Sequence, residues 1–257
     1  MPFPESPRVR YGKNPLVEVV CQLKFPTILR IDAEPPVAFQ EKVRHLFPEY
    51  RLTQPQLPAG VRLSREVLQM MFGGMGGGSH EFLAGDEKSR VTLARDFVAF
   101  TTSNYSEWKD FSETLAIPLA ALAEVYTPPY FSRVGLRYRD QIDRKSLGLD
   151  GVAWSDLLRE EVAGELAHGD VAPDVVRIIR EVGLKMPNEC GNIRIVHGLE
   201  GDGPDPTYMI DADFFIERKV EHGETNDVLD VFNRTAGNLF RWCVKPRLHD
   251  AMEPREP

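Results

Sequence analysis

The chain switches repeatedly between two hydrophobic periods, and that switching leaves few folds open. Residues 16–25 read LVEVVCQLKF, with Val17, Val19, Cys21, Leu23 and Phe25 alternating with Glu18, Gln22 and Lys24. Side chains two apart share one face of a strand, so this run predicts a strand with one wet face, closed by Pro26. Short runs of the same kind recur at residues 80–84, 90–93, 97–102, 131–142, 193–199 and 208–218. Set against them, Trp108, Phe111, Leu115, Leu119, Leu122 and Val125 follow at steps of three and four, as do Phe232, Ala236, Phe240 and Cys243. Those steps trace one face of a helix. Runs of short strands interrupted by long amphipathic helices specify an α+β protein, with antiparallel β-meanders covered by the helices.

Prolines and glycines set the boundaries. Pro35 and Pro36 open a helix striped by Val37, Phe39, Val43, Leu46 and Phe47, because proline tolerates the first helical turn. Residues 53–60 read as a loop, and residues 62–72 as a strand that runs into Gly73, Gly74, Gly76, Gly77 and Gly78. Gly85-Asp86 marks a turn between strands. The helix over residues 104–126 takes Ser106 as its N-cap and Glu107 in its first turn, with a kink or a break at Pro118. Residues 154–166 predict a short amphipathic helix. Residues 174–186 fit either a strand or a helix. Residues 226–245 predict the last long helix, weakened at its end by Pro246.

An internal echo bears on domain organisation. Asp96-Phe97-Val98 precedes the first long helix by a polar turn, and Asp213-Phe214-Phe215 precedes the second in the same way. Any amphipathic helix repeats at 3.6 residues, so only the shared Asp-Phe lead-in adds information beyond chance. The organisation expected is a Pro-rich, loosely attached arm over residues 1–14 and an N-terminal half over 15–150. A C-terminal half over 151–252 packs on the first, and residues 253–257 form a frayed tail. Duplication and chance both account for the likeness of the halves.

Charge and cysteine usage exclude some functions. The formal net charge is −8, a field that opposes nucleic acid as a general partner. The three cysteines, Cys21, Cys190 and Cys243, are widely spaced and odd in number, which argues for free structural thiols over a disulfide framework. No stretch approaches the roughly 20 apolar residues that span a bilayer. The opening residues lack the basic and apolar regions of a secretory signal, so a cytoplasmic location with no membrane partner is expected.

Four passages carry a family resemblance: Asn14 to Val19 (NPLVEV), Asp96 to Ala99 continuing to Tyr105 and Trp108, Arg133 to Tyr138 (RVGLRY), and Phe240-Arg241-Trp242 continuing to Leu248-His249. Together they resemble a sporadically distributed prokaryotic family of proteins of roughly 250 residues. The Gly-Leu-Arg-Tyr passage is the most specific of the four. The family brings no established activity, cofactor or catalytic residue. Its patchy occurrence implies an accessory role, such as in defence, toxin–antitoxin or other mobile-element systems. The glycine run at residues 73–78 is longer than the resemblance implies.

The candidate sites are few. The glycine run could cradle a phosphate, but it lacks a GK[ST] ending and leads into Ser79-His80-Glu81 and a strand, so a flexible hairpin is the simpler reading. In residues 131–142, Val134, Leu136, Tyr138 and Asp140 fall on one strand face, and Arg133, Arg137 and Arg139 on the other. Three guanidinium groups in a row can grip a carboxylate or phosphate. They can equally pair with Asp211, Asp213 or Glu217 on a neighbouring strand. Asp211 and Asp213 share a face and are weak candidates for a metal or an acid–base pair, since no third ligand stands nearby. Six scattered histidines form no HExxH or HxH pair, and no GxSxG elbow occurs. Tyr105 and Trp108, after a Thr-Thr-Ser-Asn loop, are either a recognition patch or a core anchor beneath that loop.

With no catalytic set and no cofactor implied, the leading expectation is a non-enzymatic accessory protein that binds another protein through Arg133, Arg137, Arg139, Tyr105 and Trp108. A small-anion or nucleotide sensor using the arginine-lined sheet face is the alternative. A metal-dependent hydrolase built on Asp211 and Asp213 is the weaker one.

Overall fold

The computed structural model describes residues 2–53, 78–201 and 205–256. The strand expected over 62–72 and the glycine run up to residue 77 lie outside them. Within the described residues one antiparallel sheet organises the molecule. Its strands are β2 (Leu16–Lys24), β3 (Glu49–Thr53), β4 (Ser79–Leu83), β5 (Ser89–Ala94), β6 (Phe97–Thr102), β7 (Arg133–Ile142), β8 (Ile179–Lys185), β9 (Asn192–Glu200) and β10 (Thr207–Ile216). They lie in the order β3-β4-β5-β6-β2-β7-β10-β9-β8. β1 (Arg10–Tyr11) and β11 (Pro254–Arg255) pair separately.

The strand order has an internal symmetry. Leaving β3 aside, it runs β4-β5-β6-β2 from one side and β8-β9-β10-β7 from the other, and the two central strands pair antiparallel. Each set is followed in sequence by a long helix, α3 (Trp108–Tyr126) after β6 and α6 (Thr225–Cys243) after β10. Drawn on strand order, the division falls between α3 and β7. The Asp-Phe echo does not mark it, however. Phe97 pairs with Lys24 on the open side of the sheet, whereas Phe214 pairs with Leu136 and is fully buried on the helix side. The two phenylalanines stand on opposite faces, so the shared dipeptide is coincidental.

Among the described residues, the covering elements lie on one face. Phe111 of α3 meets Phe100 of β6 at 4.9 Å between ring centroids. Asn233 of α6 accepts the hydroxyl hydrogen bond of Tyr138 on β7. The short α1 (Arg30–Ala33) and α2 (Val37–Val43) bring Phe39 onto Phe82. Burying each such ring stabilises the fold by about 1.5–3 kcal/mol, and this layer is where the core sits. The reverse face carries Glu18, Gln22, Arg133, Arg137, Asp211 and Asp213, all only half buried.

Local structure departs from the sequence reading in four places. α3 starts at Trp108 rather than near Asn104, and Ser106 does not cap it; its hydroxyl donates instead to Asp110. The helix also runs unbroken through Pro118. The single helix expected over 154–166 is divided into α4 (Trp154–Leu157), α5 (Glu160–Ala163) and a 3-10 turn (Gly164–Ala167). An isolated bridge between Leu158 and Val244 takes the backbone at the break. Within the ambiguous stretch 174–186 only Ile179–Lys185 form a strand, β8, and Gly198 of β9 permits a close crossing there. A Cβ on Gly198 would lie 1.9 Å from the Ile178 carbonyl oxygen. α6 ends at Cys243, and Pro246 opens a separate short helix, α7 (Pro246–Ala251).

The terminal segments are docked. Phe3 is buried against Trp242, with ring centroids 5.4 Å apart. The Ser6 amide donates to Asn238 Oδ1, and Arg8 donates to the Asn233 carbonyl oxygen. β1 and β11 then close the arm over the helical layer, and Gly12 and Lys13 donate to the carbonyls of Glu253 and Met252. The residues read as a loose arm and a frayed tail thus hold each other.

Candidate functional site

The three strand arginines are engaged on the open face. Arg133 Nη2 lies 2.7 Å from Asp213 Oδ2, with Glu217 at 3.7 Å. Arg137 bonds Asp211 through both Nε and Nη2, and Arg139 reaches Glu200 at 2.6 Å. The register explains the pairing, because β7 and β10 set Arg137 opposite Asp213 and Arg139 opposite Asp211. Arg137 leans one step along the ladder to Asp211, Arg133 reaches past its facing position to Asp213, and Arg139 reaches across β10 to Glu200 on β9. Burial holds the Asp213 carboxyl above its usual range, and the Arg133 and Arg137 charges oppose that shift. With their acid partners supplied internally, these cations are not idle donors. Among the described residues, no group of three or more His, Cys, Asp or Glu side chains is arranged to hold a metal ion.

Tyr105 and Trp108 belong to the other face. The Tyr105 ring packs on Phe111 and stands edge-on to Tyr138, 6.0 Å away. Trp108 stacks on Phe111, and its Nε1 donates to Asp230 Oδ1 at 2.6 Å, tying the start of α3 to α6. Both rings are half buried and line a recess of about 750 Å³. The recess lies between the arm, the start of α3, the middle of α6 and the central strands. Gly237 on α6 keeps that helix slim where Arg8 crosses it, since a Cβ there would meet Arg8 Nη1 at 2.2 Å.

Asp140 is the polar group that distinguishes this recess. It lies on the helix side of β7, paired in register with Leu16 and Ile210, and is 9% exposed. Its carboxyl group makes no hydrogen bond or ion pair with the described residues. The one side-chain nitrogen or oxygen that is both sealed from solvent and unpaired among the described residues is Arg144 Nε. The Asp140 oxygens therefore open onto the recess they line. Burial, reinforced by the like charge of Asp211, pushes its carboxyl up to about 8. Nearby, Tyr11 hydrogen-bonds His249 Nδ1 at 2.8 Å, and its hydroxyl is pushed up to about 12 by burial.

The sequence contained a signal for this site, namely a carboxylate in the apolar phase of a strand. It contained none for Arg8 and Tyr11, which reach the recess only because the arm docks. Cys21 and Cys243 are buried thiols whose ionisation burial opposes, and Cys190 stands half exposed in the turn before β9.

No protein-family model matches the chain, and no curated protein does. Among solved structures it is similar to the duplicated taurocyamine kinase from Schistosoma mansoni with bound transition state analog components. The identity is 12% and the TM-score 0.41, over 89% of this chain and 33% of that one. The substrate-free form of that kinase gives 11% identity and a TM-score of 0.38 over the same shares. The chain thus spans about a third of the length of these structures, and similarity of this degree carries no argument about fold or activity.

Proposed function

We propose that the chain is a non-enzymatic accessory protein that binds another protein along the β8 edge of its sheet. One observation carries this reading. Of the nine large apolar side chains exposed among the described residues, four (Val171, Val176, Ile179 and Val182) fall within twelve residues on and just before β8. β8 pairs only with β9 among the described strands, so its outer backbone groups face outward, with Ile179 and Val182 exposed on its two faces. An unpaired edge flanked by apolar side chains is a template for strand addition by a partner. The resemblance to a sporadically distributed prokaryotic family supports an accessory place, as in a defence or toxin–antitoxin system. An anion sensor on the arginine face is less favoured, because a ligand there would compete with Asp211, Asp213 and Glu200.

The test is co-purification of the tagged full chain from its native host, beside the double variant Val176→Asp, Ile179→Asp. A stoichiometric partner that accompanies the native chain and is lost from the folded variant supports the reading. A monodisperse monomer with no stoichiometric partner, or a partner retained by the variant, overturns it.

A further inference from the structure

We propose that the recess between the arm, α3, α6 and the central strands is a binding site for a small organic amine whose ammonium group is received by Asp140. The reading is independent of the β8 edge, which lies on the far side of β9 and β10 from β7.

Three features of the geometry converge. First, the recess is of small-molecule size, about 750 Å³, within the range of ligand pockets. Second, Asp140 is a buried carboxyl with no partner among the described residues, and buried carboxyls are ordinarily paired. A fold that needed only an apolar residue between Leu16 and Ile210 would gain by having one. Third, the walls are aromatic: Tyr11, Tyr105, Trp108 and Phe240 line the same space. Ring faces attract cations, and an ammonium ion held between aromatic faces and a carboxylate is stabilised by both.

Charge at the site favours this sign of ligand. The one charge that acts appreciably on Asp140 is that of Asp211, and no cation offsets it. At the rim, Arg10 is engaged by Glu107 and Arg255 by Glu253, and the exposed Lys109 and Glu256 add one charge of each sign. Arg8 comes in from the arm and acts on Tyr105 and Tyr138 rather than on Asp140. The other titratable groups facing Asp140 are Tyr11 on the arm and Cys243 on α6, and both stay neutral near pH 7. Inside the rim, an arriving ammonium ion therefore meets Asp140 as its acid. That acid is mostly protonated near pH 7 and gives up its proton as the ion pair forms.

The experiment is isothermal titration calorimetry of the full chain at pH 7 with 2-phenylethylamine and with its neutral isostere 2-phenylethanol. Each is run in two buffers of different ionisation enthalpy. The amine is expected to bind at least about ten-fold more tightly than the alcohol and to release close to one proton. Asp140→Asn should abolish both the preference and the release. Equal affinity for the two probes, or no binding of the amine at millimolar concentration, overturns the assignment. Should Asp140→Asn fail to fold, the native chain still decides, because an amine that binds no more tightly than the alcohol excludes a carboxyl as the receiving group.

Discussion

Asp140 illustrates how one residue can be plain in the sequence while its surroundings are not. The strand period of β7 already places it on the same face as Val134, Leu136 and Tyr138. That it remains unpaired there depends on Leu16, Ile210 and the arm, which come from distant parts of the chain. Its position has a thermodynamic consequence. The carboxyl titrates near 3.8 when unfolded and is pushed up to about 8 in the fold. Between those values the folded state holds a proton that the unfolded state has released, so stability falls as pH rises across that window. Each unit of difference is worth about 1.4 kcal/mol, which puts the whole effect at several kcal/mol. Thermal denaturation from pH 4 to pH 9 should show the native chain losing stability relative to Asp140→Asn, with the difference levelling off above pH 8. Parallel curves for the two proteins would show that Asp140 ionises freely in the fold.

At the scale of elements, the arm is the largest departure from expectation. Its prolines and polar residues read as a loose tether, since composition reports only what a segment can do alone. Phe3, Arg8 and Tyr11 find their partners on α6 and α7, more than 200 positions away. Burying a phenylalanine stabilises by about 1.5–3 kcal/mol, so Phe3→Ala should lower the denaturation free energy by that order. Limited proteolysis should also cut the arm of the variant faster than that of the native chain. Identical stability and cleavage would mean that the arm is already free in solution. The divided segment after β7 follows the same logic. Residues 154–166 carry a helical period, but the bridge from Leu158 to Val244 gives the backbone a better partner than a continued helix would.

For the whole molecule, the pairing of β2 with β7 joins the two strand sets into one sheet. A continuous hydrogen-bonded ladder and a shared helical layer leave no seam along which one half could unfold alone. Calorimetry, far-ultraviolet circular dichroism and tryptophan fluorescence should therefore report a single coincident unfolding transition. Two resolved transitions would show that the strand sets fold independently despite the shared sheet.

The sequence by itself determined the α+β class, most of the strands and both long helices, because hydrophobic period is a local property that each segment carries wherever it is placed. It also determined which residues share a face of β7, putting Arg133, Arg137 and Arg139 opposite Asp140. Only the tertiary structure decided what each face meets. Strand order and register gave the arginines Asp213, Asp211 and Glu200 as partners. The docked arm enclosed Asp140, Tyr105 and Trp108 in one recess. These pairings join residues tens to hundreds of positions apart, and a local period holds no information about which distant segment will arrive.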